Sequence, residues 1–174
     1  ETMGNVIAKS YKLIQEQKPD AILILGDTNS SLSAISAKRL KTPIFHMEAG
    51  NRCWDWNVAE MTNRVIVDHI ADVNLPYSHV AFDNLMKEGM PKDRIFITGS
   101  PMKEVLLAHH DQIESSDILS KLGLKKDGYI VISAHREENI DIEKNFMSLM
   151  NAINTIAETY QLPVIYSTHP RSQK

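Results

Sequence analysis

Three carboxylates stand where acid–base chemistry needs them. Asp27 ends the apolar run Ala21–Leu25 in the turn Gly26-Asp27-Thr28, and Glu48 ends the run Pro43–Met47 in the turn Glu48-Ala49-Gly50. Glu60 follows after an aromatic loop and opens a helix-like run. In an open parallel sheet, ligands bind beyond the carboxyl ends of the strands. Asp27 and Glu48 are therefore expected at one rim, with Glu60 able to fold back over it. Carboxylates crowded at one rim have their proton affinities driven apart, so that one serves as base and another as acid.

Each group also has a simpler use. Asp27 precedes Thr28-Asn29-Ser30-Ser31, where capping a helix N-terminus accounts for it locally. Glu60 and Arg64 lie four apart, the spacing of an ordinary helical ion pair. His46 shares a strand face with Glu48 and is read as a core residue that supports it. Arg52 is either a bidentate phosphate clamp or a surface arginine. Trp54 and Trp56 flank Asp55, either as a lid over a sugar ring or as anchors fastening the loop to the sheet, the second being the simpler. Further on, His135-Arg136-Glu137-Glu138-Asn139 ends a strand-like run before a long helix, and His169-Pro170-Arg171 ends the next one. Arg136 with the helix N-terminus behind it suits a diphosphate. His109 and His110 lack partners at ligand spacing and read as a solvated helix end, so no metal site is expected.

The elements that position these groups alternate. Helices are expected over about 3–17, 30–39, 59–71, 78–88 and 142–160, and strands over 21–25, 43–47, 73–75, 94–97, 129–134 and 164–167. Strands alternating with helices of this length imply an α/β fold with parallel sheets and helices on both faces. The stretch 102–127 changes character, with short helices around the polar run His109–Asp117, and reads as a crossing between domains. The division expected is 1–100 and 101–174. The chain opens in a helical pattern without a preceding strand and closes after a strand, the look of an internal piece of a longer protein.

Composition narrows the function classes. The 174 residues are 43% hydrophobic and 24% charged, which suits a globular protein. A net charge of −3 offers nucleic acid no basic surface. The single cysteine, Cys53, excludes an internal disulfide and fits a reducing compartment. No apolar run approaches a membrane span, so a cytoplasmic protein is expected. Neither a P-loop nor a dinucleotide fingerprint is present.

The pieces GDT at 26–28, HMEAG at 46–50, AEMTNR at 59–64, ISAHREEN at 132–139 and STHPR at 167–171, in this order, resemble the non-hydrolysing UDP-N-acetylglucosamine 2-epimerase family. The resemblance spans essentially the whole chain. Ala59 and Met61 stand where that family usually has Pro and a second Glu, and Asn51 where it often has Leu. The run NRCWDWNVAEMTNRVIVDH is more similar to the branch that converts UDP-N-acetyl-L-talosamine to UDP-N-acetyl-L-fucosamine. The resemblance implies two Rossmann-like domains of the glycosyltransferase-B type, both incomplete here. Residues 1–100 would be the later part of the first, and 101–174 a crossing segment with the first part of the UDP-binding second. It implies catalytic roles for Asp27, Glu48, Glu60 and His135. Substrate contacts would fall to Arg52, Arg64, Arg136, Glu138, Asn139, His169 and Arg171. It further implies a UDP-amino sugar substrate for surface-polysaccharide precursors, no cofactor, and a homodimer at full length. The piece alone is expected to be inactive.

Other classes stay open at this point. A glycosyltransferase would share the fold and UDP site without needing three carboxylates. A sugar-nucleotide sensor would bind without turnover. A metallophosphoesterase is disfavoured, because no D-x-H precedes Asp27 and no GNH follows it.

Overall fold

The computed structural model describes residues 2–134 and 142–167. The chain divides into two compact units, Glu1–Leu106 and Leu107–Lys174.

The first unit is a parallel sheet of β1 (Ile22–Leu25), β2 (Ile44–Met47) and β3 (Val73–Leu75), in that order. Its helices are α1 (Thr2–Gln17), α2 (Ser33–Arg39), α3 (Ala59–Ile70) and α4 (His79–Lys87). A 3-10 turn over Asn29–Leu32 leads into α2. Alternation along the strands separates two sheet faces. Ile24 and Ile44 join Ile14, Ala34, Ala37 and Val67 in one buried cluster, so α1, α2 and α3 cover that face. The small residues of α2 let it lie close to α1, where Ser36 Oγ donates to the Ile7 carbonyl at 2.8 Å. On the opposite face Leu23 and Leu25 are each 64% exposed. Helices were expected on both faces; among the described residues α1, α2 and α3 cover only one face of β1 and β2. A second cluster, Ala49, Leu85 and Ile95 with Phe82 and Met90, packs α4 beneath the turn that follows β2.

The strand expected over 94–97 does not form. Pro91 and the 3-10 turn Lys92–Arg94 delay entry, and only Ile95 bridges to β3, opposite Asn74. The segment still runs beside β3, since Phe96 N–H donates to the Asn74 carbonyl at 3.0 Å and Thr98 N–H to the Pro76 carbonyl at 3.0 Å.

The second unit pairs β4 (Ile130–Ile132) with β5 (Val164–Tyr166) in parallel. The long helix α8 (Glu143–Tyr160) lies between them in sequence, as a parallel crossover requires. Gln161 ends it in the left-handed region at φ +52, with its N–H on the Ala157 carbonyl. In sequence three short helices precede β4: α5 (Met102–Ala108), which begins in the first unit, α6 (His110–Glu114) and α7 (Ile118–Lys121). No helix among the described residues is long and apolar enough to cross a membrane.

Candidate active site

The strand ladder itself places two of the carboxylates. Gly26 N–H donates to the Met47 carbonyl and Glu48 N–H to the Leu75 carbonyl, each one step beyond its strand. Because β1 and β2 are parallel, Asp27 and Glu48 emerge from the same edge of the sheet. Both exits turn sharply: Gly26 has φ +75 and Glu48 φ +64. A left-handed conformation costs a non-glycine residue roughly 1–2 kcal/mol and persists only where its surroundings hold it.

What holds Glu48 is Arg64, one turn into α3. Arg64 Nη1 donates to the Glu48 carbonyl at 2.6 Å, while Nε donates to Asp27 Oδ2 at 3.0 Å and Nη2 reaches the same oxygen. Nη2 also lies 3.6 Å from Glu48 Oε1. Arg64 is nearly buried, its side chain 9% exposed, whereas the Glu48 side chain is 36% exposed. Asn63 adds a second tie, donating through Nδ2 to the Asp27 carbonyl at 3.0 Å and to Asn29 Oδ1 at 3.2 Å. The product is a rim with two carboxylates bridged by one guanidinium, one gripped and one loosely held and open.

Several simpler uses give way here. Asp27 does not cap the following helix; Thr28 is the cap residue, and the Asp27 carboxylate is taken by Arg64. Glu60 forms no ion pair with Arg64, which turns toward the strand ends instead; Glu60 is exposed in the first turn of α3 and pairs with nothing among the described residues. Trp54 and Trp56 do not anchor their loop, each being 63% exposed. Asp55 shapes that loop, accepting from Asn57 N–H and Nδ2 at 3.0 Å each.

Arg52 turns to protein partners. Expected to clamp a phosphate or sit on the surface, it has a side chain with no exposure that pairs with protein groups. Nε and Nη2 fork onto Glu88 at 2.7 and 2.6 Å, and Nη1 contacts Asp68 Oδ2 at 2.8 Å and the Asn51 carbonyl at 2.9 Å. Burial alone would push its proton affinity down, but the Glu88 hydrogen bonds and the Asp68 charge outweigh burial and raise it. All three of its side-chain nitrogens are thereby engaged by protein.

Three participants escaped the sequence reading. Asp68 and Glu88 hold Arg52, and Tyr77 follows β3 at the same rim. The Tyr77 hydroxyl is buried with no hydrogen-bond partner among the described residues. Burial first, then the nearby Glu48 charge, push this phenol up, and Arg64 offsets part of the rise. One signal was available. The buried face of α3 carries Met61, Asn63, Arg64, Val67 and Asp68, and charges on an apolar stripe mark a polar interior.

His135, Arg136, Glu138, Asn139, His169 and Arg171 lie outside the described residues. His109 and His110 sit at α6 in the second unit, where His109 Nδ1 meets Gln112 Oε1 at 2.8 Å and both side chains are exposed. Among the described residues no cluster of three or more histidine, cysteine or carboxylate side chains is arranged to hold a metal ion.

The family model described as UDP-N-acetylglucosamine 2-epimerase matches residues 1–174. The UDP-N-acetylglucosamine 2-epimerase of Methanocaldococcus jannaschii is 32% identical over 178 residues, covering 100% of this chain and 49% of that protein. The UDP-2,3-diacetamido-2,3-dideoxy-D-glucuronate 2-epimerase of Pseudomonas aeruginosa is 33% identical, covering 98% and 48%. Among solved structures, the Rickettsia bellii UDP-N-acetylglucosamine 2-epimerase superposes with a TM-score of 0.92 at 47% identity, covering 98% of this chain and 45% of that one. The Methanocaldococcus jannaschii enzyme in complex with UDP-GlcNAc and UDP gives 0.89 at 30% identity, covering 98% and 48%. This chain thus spans about half the length of the relatives it matches. With Asp27, Glu48 and Arg64 at the rim of a parallel sheet and a family model matched from end to end, the chain belongs to the UDP-N-acetylglucosamine 2-epimerase family.

Proposed function

We propose that the protein inverts C2 of a UDP-2-acetamido sugar by eliminating UDP and adding it back. The observation that carries this reading is the Asp27–Arg64–Glu48 bridge at one strand rim. The C2 hydrogen of such a sugar is not next to a carbonyl, so no enolate renders it acidic. A carboxylate removes the C2 proton, the C1–O bond breaks, and UDP departs with the bonding pair, leaving a glycal-like intermediate. UDP then returns to C1 while a protonated carboxyl delivers a proton to the opposite face of C2. Atoms and electrons balance without a redox cofactor.

The roles divide accordingly. Asp27, Glu48 and Glu60 handle protons, with one ionised and another protonated at any stage. Arg64 fixes the first two and lends them positive charge. Arg52 supports the rim from within rather than touching phosphate. For the departing diphosphate the reading assigns Arg136, His169 and Arg171 with Glu138 and Asn139, and it assigns His135 to the leaving-group oxygen. Fixed cations and dipoles aimed at a developing charge are a large part of such catalysis. The reading assigns the full-length protein two Rossmann-like domains of the glycosyltransferase-B type.

The test is turnover of UDP-N-acetylglucosamine by the full-length protein in D₂O, with no acceptor and with or without EDTA, followed by proton NMR. Product with deuterium at C2 is expected. Product that keeps its original C2 hydrogen would point to hydride transfer and remove the carboxylates from their roles. Transfer only when an acceptor is added identifies a glycosyltransferase, and binding without any conversion identifies a sensor.

A further inference from the structure

Behind the rim lies a buried polar chain that the proposed reaction does not use. Its centre is Asp68 in α3, whose side chain, like that of His46, has no exposure. Oδ1 meets His46 Nδ1 at 2.7 Å, with one proton between them. The other ring nitrogen of His46 must carry hydrogen, because it donates to the Gly26 carbonyl at 2.9 Å. Oδ2 accepts from Gly50 N–H at 3.1 Å and from Arg52 Nη1 at 2.8 Å.

The end points of this chain are informative. Gly26 is the residue before Asp27, and Gly50 closes the turn that begins at Glu48. One carboxylate therefore grips the backbone beside each of the two rim carboxylates. A network serving only the stability of the interior needs His46, Asp68, Arg52 and Glu88 to satisfy one another; it has no need to end on those two turns. Both turns carry a left-handed residue at the rim: Gly26, which adopts that conformation freely, and Glu48, whose conformation must be imposed by neighbours.

We propose that Asp68, acting through His46 on Gly26 and directly on Gly50, is a positioning residue that sets the separation of Asp27 and Glu48. This rests on the epimerase reading above. Asp68 touches no substrate in this role. It sets where the proton-handling groups stand, and small displacements of such groups lower rate more than affinity.

The decisive variant is His46→Asn in the full-length protein. Its amide can occupy the place of Nδ1 and keep Asp68 engaged, but it cannot reach the Gly26 carbonyl. The turn holding Asp27 is released while the interior stays paired. The expected result is a fall in kcat of roughly 10–100-fold. KM and UDP affinity, read by calorimetry, should stay within about twofold, and the pH profile of kcat should be displaced. The displacement follows because the spacing of interacting carboxyls sets the macroscopic steps in which they titrate. Asp68→Asn should fall at least as far in kcat, with a large loss of thermal stability because Arg52 loses a buried partner. A folded His46→Asn protein with wild-type kcat and pH profile would overturn the inference. So would a fall in kcat that matches a loss of folded protein while the profile stays in place. Wild-type protein that exchanges no deuterium into C2 overturns the epimerase reading and this inference with it; exchange in the wild type with an unaltered His46→Asn variant overturns this inference alone.

Discussion

Arg64 joins Asp27 to Glu48 by two different kinds of bond: Nε donates to the Asp27 side chain at 3.0 Å, and Nη1 donates to the Glu48 main-chain oxygen at 2.6 Å. The guanidinium thereby fixes one carboxylate and the backbone of the other. The Glu48 carboxylate stays loosely held, with Asn51 Nδ2 at 3.5 Å and Arg64 Nη2 at 3.6 Å. In the proposed reaction this looseness suits Glu48, which is placed without being saturated by partners.

Arg64→Lys should therefore be a poor replacement despite keeping the charge. An ammonium cannot fork onto Asp27 and also reach the Glu48 carbonyl. Turnover is expected to fall by roughly 10²–10³, comparable to removing one fixed donor from a charge-stabilising site. UDP affinity should change little in the same protein. Near-normal turnover in Arg64→Lys would show that the fork has no role beyond its charge.

Arg52→Met separates an interior role from a phosphate contact. The variant leaves Asp68 and Glu88 without their shared cation in a buried setting, at a cost of about 3–5 kcal/mol. Denaturant titration should show that loss, and UDP should bind the folded fraction with unchanged affinity. The opposite pattern, intact stability with weakened UDP binding, would restore the clamp.

How far the chain was legible depends on the range of each interaction. Asp27 and Glu48 were found because an apolar run of strand length that stops at a polar turn reports its own end. The Arg52–Glu88 pair spans 36 residues, and nothing near Arg52 announces it. For Arg64 the nearest acid in sequence, Glu60, suggested an ion pair, but the fold supplied Asp27 from 37 residues away. Residues 94–97 had a strand's composition, yet Pro91 and the turn after it left one bridge to β3. Local pattern thus named the elements, and long-range pairing decided which charges faced inward.

Gly50→Ala tests the turn that carries Glu48. Gly50 sits at φ +78, and a Cβ there would lie 2.3 Å from the Ala81 carbonyl oxygen and 2.9 Å from Leu85 Cγ. Backbone is a hard obstacle, so α4 or the turn must move. The expected cost is on the order of 3 kcal/mol or more, combining left-handed strain with a steric clash, and turnover should fall with it. Gly89→Ala is the control. Its φ of +86 is equally left-handed, but nothing lies within 4 Å of a Cβ, so about 1 kcal/mol is expected. Equal losses at the two positions would mean that conformation alone matters and that Ala81 yields.

Asp72 makes a pH prediction whose sign can be worked out. Burial would raise its proton affinity, but the hydrogen bond from Lys38 at 2.7 Å, the Ile44 N–H at 2.9 Å and the charges of Lys38 and Arg94 outweigh burial and hold the carboxyl below its ordinary 3.8. As pH falls, the unfolded chain takes up this proton before the folded one does. The contribution of Asp72 is therefore complete above about 3.8 and is lost as pH drops through the lower folded value. Wild-type protein should lose stability more steeply than Asp72→Asn below that point, and the two curves should converge in strong acid. At neutral pH the difference should be no more than about 1 kcal/mol, because the Lys38–Asp72 pair is partly exposed. Salt at 1 M should shrink it further. Lys38→Met should show an intermediate slope, since the Ile44 N–H still favours the ionised form. Parallel acid-unfolding curves for wild type and Asp72→Asn would show that Asp72 binds its proton equally in both states.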